Sequence, residues 1–231
     1  MTGSRDASGA TRASANVAAV STDPTVGDAT EPIDVGAFWR AIRARHPGLR
    51  EALVADAAMT ARHRGERHEF RSALDTVAQI LRLAWVSDAY LGQALYRAKA
   101  GMQARRIPVL PRLAHRLAMA VAQISIGDPV VVAPGVYIIH GQFVADGLVE
   151  ISTGAVIGPF VTIGLRAGDV RGATIEANVS IGTGAKVIGG VRIGAGAQVG
   201  ANAVVVDDVA AGTTVVGAPA RPRPPVAPRS A

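Results

Sequence analysis

In the second half of the chain, large aliphatic residues recur at every sixth position. Ile151, Ile157 and Ile163 keep this step, and after one missed beat Ile175, Ile181, Val187, Ile193, Val199 and Val205 resume it. Ile126, Val132, Ile138 and Val144 mark the same interval further upstream. A Gly follows Ile157, Ile163, Ile181, Ile193 and Val199, and small or polar residues fill most positions between. A helix would space its apolar residues three and four apart, and a half-buried strand every second residue. A period of six with one inward aliphatic predicts the triangular coils of a parallel β-helix.

The narrow interior of such a solenoid accepts a branched aliphatic on each side and has little room for rings. The chain is rich in Ala, Gly and Val, and only 4% of it is aromatic. It contains no Cys, which excludes a disulfide framework, a Cys-metal site and a Cys nucleophile, and fits a cytoplasmic location. No apolar run is long enough to span a bilayer, so no membrane partner is expected. Arg5 has no hydrophobic stretch behind it, so no signal peptide is expected either.

The net charge of +6 is unevenly placed. Residues 34–125 hold 15 Lys and Arg against 7 Asp and Glu, whereas residues 126–217 hold 4 against 7. The positive charge therefore belongs to helices, interleaved with acids, and no aromatic stacking platform accompanies it. That is the pattern of a solvated helical surface, and no nucleic-acid partner is expected.

Four segments follow from the composition. Residues 1–33 are Ala, Ser, Thr, Gly and Asp with almost no large apolar residue, and read as disordered. Residues 34–125 read as an α-helical domain. Phe38, Ile42, Leu49, Leu53 and Val54 mark a first helix or pair broken near Pro47–Gly48. Leu74, Val77, Ile80, Leu81 and Leu83 mark a second amphipathic segment, and Leu91, Leu95 and Tyr96 share a face of a third. Leu113–Ala122 reads as a last helix leading into the β-helix over residues 126–218. The tail, 219–231, is Pro- and Arg-rich and reads as extended. The missed beat between Ile163 and Ile175 falls where Asp169 stands, and Leu165–Ala173 reads as a loop thrown from a corner. Such a loop is either a tolerated surface insertion or an active-site flap.

His46, His63, His68 and His115 lie in the helical half, and His63 and His68 are five apart, which does not place them on one helical face. Each reads as a surface or locally satisfied histidine. His140 is the one histidine of the solenoid, just after the inward Ile138. Alone on a coil it is structural or functional. A zinc site needs three or four convergent ligands, so no metal is expected, and the three-histidine carbonic anhydrases of this fold are disfavoured. There is no nucleophile elbow and no P-loop, and pairs such as Gly182 and Gly184 belong to the repeat.

The closing segment, Gly200 through Gly217-Ala-Pro-Ala-Arg221, resembles the end of hexapeptide acyltransferases, commonly G-x-P-A-R. The order of parts resembles the serine acetyltransferase family. A helical domain carries Tyr96-Arg97 and a basic helix. An entry coil holds one His, and Val161-Thr-Ile-Gly164, a corner loop, regular coils and that ending follow. The match covers about residues 85–221.

The resemblance implies an α+β chain whose β-helix is left-handed. It implies a homotrimer, with trimers pairing through the helices, that binds acetyl-CoA between neighbouring subunits. It places His140 at the catalytic base, Gly164, Thr183 and Ala201 at CoA contacts, and Arg221 near a CoA phosphate. Arg166, Asp169 and Arg171 occupy the substrate loop. The implied reaction is direct acetyl transfer from acetyl-CoA to a small-molecule hydroxyl or amine, without a covalent enzyme intermediate.

The sequence departs from the family where the acceptor is held. The acid before the catalytic His is here Ile139, and another, on the preceding coil, is Ser125. The loop run G-G-T-G-K is Gly164-Leu-Arg-Ala-Gly168, and the second His falls at Arg171 or Gly172. Asp128, Asp146 and Glu150 are the acids left to orient His140. The chain ends Arg-Ser-Ala, so no sulfhydrylase docking is expected. L-serine remains a possible acceptor, but the lost acids argue for a different small molecule. Two rivals stand beside a serine-type enzyme: an acyltransferase acting on sugars, antibiotics or biosynthetic intermediates, and a non-catalytic solenoid scaffold or partner subunit.

Overall fold

The computed structural model describes residues 34–223. The segment 1–33 read as disordered, and tail residues 224–231, lie outside the described residues. Five helices come first: α1 (Val35–Ala44), α2 (Leu49–His63), α3 (Ala73–Val86), α4 (Asp88–Ala104) and α5 (Leu110–Ala122). Side-chain caps start three of them, with Asp34, Ser72 and Ser87 accepting from the first-turn amides of α1, α3 and α4.

The rest is a parallel β-solenoid of five coils with three faces. Face one stacks β1 (Ile124–Ile126), β4 (Phe143–Ala145), β7 (Thr162–Gly164), β10 (Lys186–Ile188) and β13 (Val204–Val205). Face two stacks β2 (Val131–Val132), β5 (Leu148–Ile151), β8 (Arg171–Ile175) and β11 (Arg192–Ile193). Face three stacks β3 (Tyr137–Ile138), β6 (Val156–Ile157), β9 (Ser180–Ile181), β12 (Gln198–Val199) and β14 (Thr214–Val216), and antiparallel β15 (Arg221–Pro222) closes its far edge.

Each repeat buries two residues where the periodicity predicts one. Ala155 with Ile157, Val161 with Ile163, and Val179 with Ile181 are all at most 1% exposed. Beyond the entry strands, where it is Ile124 and Phe143, the second position is Ala or Val, small enough for the coil's narrow corner, so a hydropathy beat shows mainly its larger partner. Each fully buried Ile contributes roughly 1.5–3 kcal/mol.

Two irregularities matter for the site. Ile138 is followed by the next inward face-one residue, Ala145, after seven positions. The extra residue sits at the corner holding His140, and it turns Val144 outward, 40% exposed, while Phe143 and Ala145 are buried. The expectation of an inward Val144 is therefore corrected. The second irregularity is the missed beat. Leu165–Val170 is a six-residue insertion at the corner between β7 and β8, shorter than the expected loop Leu165–Ala173, because Arg171–Ala173 already pair as the start of β8.

The helices are held by polar contacts that the apolar pattern does not reveal. Amides of each coil donate to carbonyls of the next, as Ala133 N–H does to Ile151 at 2.7 Å. Carbonyls of the first coil therefore point away from the stack with no strand to meet them, and unpaired they would each carry a desolvation cost. Helix α4 supplies the donors. Lys99 Nζ donates to Ile126 O (2.6 Å), Tyr96 Oη to Val130 O (2.8 Å), Gln93 Nε2 to Val136 O (3.0 Å), and Arg97 to the Val132 and Ala133 carbonyls. Asp56 on α2 accepts from Arg97 Nε at 2.8 Å and from the Gly135 amide at 2.9 Å. Among the described residues, no buried side-chain N or O lacks a partner.

The buried side of α4 therefore includes Gln93, Arg97 and Lys99 beside Ala89, Tyr90, Gly92, Ala100 and the expected Tyr96, while the expected Leu91 and Leu95 are only half-buried. On α3, only Leu83 of the expected apolar set is buried, and Leu74, Val77 and Leu81 face outward with Trp85.

Candidate active site

His140 follows β3 at the corner between faces three and one, and its side chain is exposed. Two residues of opposite character fix this corner. Gln142 adopts a left-handed conformation (φ 60°), and its amide donates to the Ala122 carbonyl at the end of α5, 2.9 Å away. Gly141 must be glycine, because a Cβ there would lie 1.9 Å from the same carbonyl oxygen. The helix end thus sets the backbone that carries His140.

The same corner recurs on every coil above. Pro159, Thr183 and Ala201 each stand two residues beyond an inward aliphatic (Ile157, Ile181, Val199), as His140 does beyond Ile138. Stacking makes two glycines obligatory, since a Cβ on Gly158 or Gly182 would meet the Thr183 or Ala201 amide nitrogen at 2.7 Å. The corner carbonyls of Pro159 and Thr183 accept from Gly184 and Asn202 at 2.8 Å. The amides of Thr183 and Ala201 donate to no backbone carbonyl among the described residues. His140, Thr183 and Ala201 therefore share one column of corners, in which the Thr183 and Ala201 N–H groups are not used by the backbone ladder.

The other predicted site residues lie elsewhere. Gly164 ends β7 at the far edge of face one and pairs with Ile188. The loop beyond it is tied down by its own charges. Arg166 donates to the Val206 carbonyl, and Asp169 and Arg171 form a two-pronged pair (2.8 and 3.0 Å). Hydrogen bonding from Arg171 holds the Asp169 carboxyl below the usual range. Arg221 is on the last coil, exposed, 3.3 Å from Asp207. Within one chain, the loop corner and the His140 corner flank face one from opposite sides and do not meet.

None of the three acids left to orient His140 does so. Asp128 pairs with Lys99 at 2.9 Å, Asp146 accepts from the Gly147 amide at 2.9 Å, and Glu150 pairs with Arg45. All three sit on or near face two. No hydrogen bond or ion pair among the described residues involves the His140 imidazole, and no group of three or more His, Cys, Asp or Glu converges there as metal ligands would.

A cleft of about 450 Å³ opens on the outward side of face one, reaching Gln142, two residues beyond His140, which is not itself part of the lining. It is lined by Met119 and Gln123 at the end of α5, by Gln142 and Phe160 at two successive corners, and by the outward residues Ser125, Val144, Thr162 and Lys186. These last four come from successive strands in register. Sequence reasoning missed Lys186 because it occupies an ordinary outward position of the repeat. One signal was available: the chain has only two lysines among its 24 basic residues, and the other, Lys99, is buried in the first-coil cap.

A five-coil parallel solenoid with a helical preface, bearing an exposed histidine and free amides along one corner, has the architecture of hexapeptide-repeat solenoids. The bacterial transferase hexapeptide family (six repeats) matches residues 172–207. Among solved structures, soybean serine acetyltransferase complexed with serine is 29% identical, over 78% of this chain and 71% of that one (TM-score 0.63). A serine acetyltransferase in complex with CoA is 21% identical, over 79% and 73% (TM-score 0.63). The Neisseria gonorrhoeae enzyme in complex with serine is 18% identical, over 84% and 85% (TM-score 0.64). Among curated protein sequences none is significantly similar. The fold is thus the helical domain and left-handed β-helix of serine acetyltransferases, as the sequence resemblance implies.

Proposed function

We propose that this chain transfers an acetyl group from acetyl-CoA to a hydroxyl, or an amine, of a small molecule, with His140 as general base. The observation that carries the reading is the single corner on which His140 lies in line with the free amides of Thr183 and Ala201. A neutral imidazole takes the acceptor proton as the acceptor oxygen attacks the thioester carbonyl. The C–S bond then breaks, and the imidazolium returns the proton to the departing thiolate. The Thr183 and Ala201 amides suit the carbonyls of the pantetheine arm, and Gly164 and Arg221 are proposed as further CoA contacts. Corner amides left free of the ladder suit the tetrahedral oxyanion.

The reading extends to a cytoplasmic homotrimer. His140 and the loop residues Arg166, Asp169 and Arg171 flank one face from opposite edges, so a neighbouring subunit is needed to bring a loop to a histidine. The outward Leu74, Leu81 and Trp85 of α3 favour pairing of trimers. No helix among the described residues is long and apolar enough to cross a membrane.

A second reading, a scaffold without activity, draws on the lack of a carboxylate beside His140. Release of free CoA thiol from acetyl-CoA, with L-serine and a panel of small alcohols and amines, separates the two. Acceptor-dependent release supports the transferase. Folded protein that binds CoA and releases none with any acceptor supports the scaffold, and protein that binds no CoA overturns both the cofactor and the reaction.

A further inference from the structure

The cleft that begins at Gln142, two residues beyond His140, has an electrostatic character that narrows its ligand. Among its lining residues Lys186 is the only ionisable one; the rest are amides, hydroxyls and apolar side chains. Lys186 Nζ donates to the Phe160 carbonyl at 2.7 Å, which fixes the ammonium at the cleft and leaves two N–H donors free. Phe160 stacks one coil beyond Gln142, both left-handed at φ 60°, so the carbonyl that holds the ammonium belongs to the coil next to the one that follows His140. Between the two ends the surface is apolar: Met119 and Val144 are 47% and 40% exposed, and the Phe160 ring is 58% exposed.

We infer that the cleft takes a hydroxy acid. Its hydroxyl lies toward His140, its apolar body covers Val144, Met119 and Phe160, and its carboxylate meets Lys186. This assignment rests on the transferase reading and deepens it. A single cation matches a monoanion rather than a dianionic phosphate. An ammonium on the ligand finds no carboxylate among the lining residues, so zwitterionic amino acids and amines are disfavoured. Lys186 is then a specificity-determining residue for the acceptor.

The test uses three probes of one shape: 4-(hydroxymethyl)benzoate, 4-(hydroxymethyl)benzamide and 4-(hydroxymethyl)benzylamine. Their binding to the full-length protein is measured by calorimetry, and their support of CoA release from acetyl-CoA is measured separately. The benzoate is expected to bind about tenfold more tightly than the amide, the worth of one charge-assisted hydrogen bond at a half-open site, and the amine more weakly still. Lys186→Gln removes the preference and Lys186→Arg retains it. Equal binding of the three probes, no binding of the benzoate at millimolar concentration, or a preference unchanged in Lys186→Gln overturns the inference. If the preference holds while no probe releases CoA, the cleft assignment stands and the transferase reading loses support. If CoA is released with a ranking insensitive to Lys186, the transferase stands and the hydroxy-acid assignment falls.

Discussion

Gly141 and Ala122 approach so closely that a single added methyl group on Gly141 would lie 1.9 Å from the Ala122 carbonyl oxygen. That carbonyl also accepts the Gln142 amide, so the end of α5 grips the two residues that follow His140. Helical domain and proposed catalytic corner are one mechanical unit.

Gly141→Ala is therefore expected to act on activity more than on folding. The corner has to move, at a cost of about 1–3 kcal/mol in stability. A shift of the imidazole by about 1 Å costs on the order of 100-fold in turnover. Thermal melting and CoA release on the same preparation check this. A variant that melts lower but turns over normally would detach the α5 grip from the site.

The Asp56–Arg97 pair is the second joint. Arg97 serves the carboxylate and the Val132 and Ala133 carbonyls together, at 3% exposure. Burial pushes the Asp56 carboxyl up, against the pull of the guanidinium. Arg97→Met strands a buried acid and two carbonyls, and is expected to cost about 3–5 kcal/mol by denaturant unfolding. Asp56→Leu combined with Arg97→Met is expected to cost less than the sum of the singles. Simple additivity would show that the two groups do not act as a pair.

How much of this was legible in the sequence differs by element. The beat from Ile151 to Val205 was legible because the larger of the two inward residues in each repeat is a branched aliphatic, Ile or Val. It misled at Val144, where the one extra residue beside His140 shifted the phase while another β-branched residue kept the count. The face of α4 was not legible, since Gln93, Arg97 and Lys99 are buried by the first coil's unpaired carbonyls, and a hydropathy pattern records no carbonyls. At the site, His140 stood out as the one histidine of the solenoid, whereas Thr183 and Ala201 came only from the family resemblance, and the column they share with His140 is visible only in the stacked coils. The orienting acid was not: Asp128, Asp146 and Glu150 are close in sequence but already engaged by Lys99, Gly147 and Arg45.

Acid should loosen the joint between helices and solenoid. Burial lowers the His46 pKa from 6.5 to about 4, and the charges of Arg97, Lys99 and Arg45 add to the effect. The unfolded chain then binds a proton that the folded chain refuses, so stability is full above pH 6.5 and declines as pH falls toward 4. Partial exposure of the ring reduces the size of the effect to about 1–2 kcal/mol. Unfolding curves between pH 7.5 and 4.5 test this, with His46→Gln expected to flatten the decline. An equal decline in the variant would assign it to other groups.

The loop offers a clean excision. Removing residues 165–170 makes the third coil as long as its neighbours, and Arg171 can follow Gly164 directly. The melting temperature is expected to change by only a few degrees, because short surface loops weigh little in stability. CoA release is expected to drop by about tenfold or more if the loop closes over the substrate. Unchanged turnover would make the segment a tolerated insertion.

The central claim is that His140 moves the acceptor's proton. The most direct measurement is acceptor-dependent CoA release by His140→Ala, using the best acceptor of the wild-type protein, with CoA binding measured on the same sample. The account predicts a fall of about 10²–10⁴-fold in turnover, with CoA affinity unchanged, as expected for loss of a general base. Turnover near the wild-type rate would contradict it and remove His140 from the reaction.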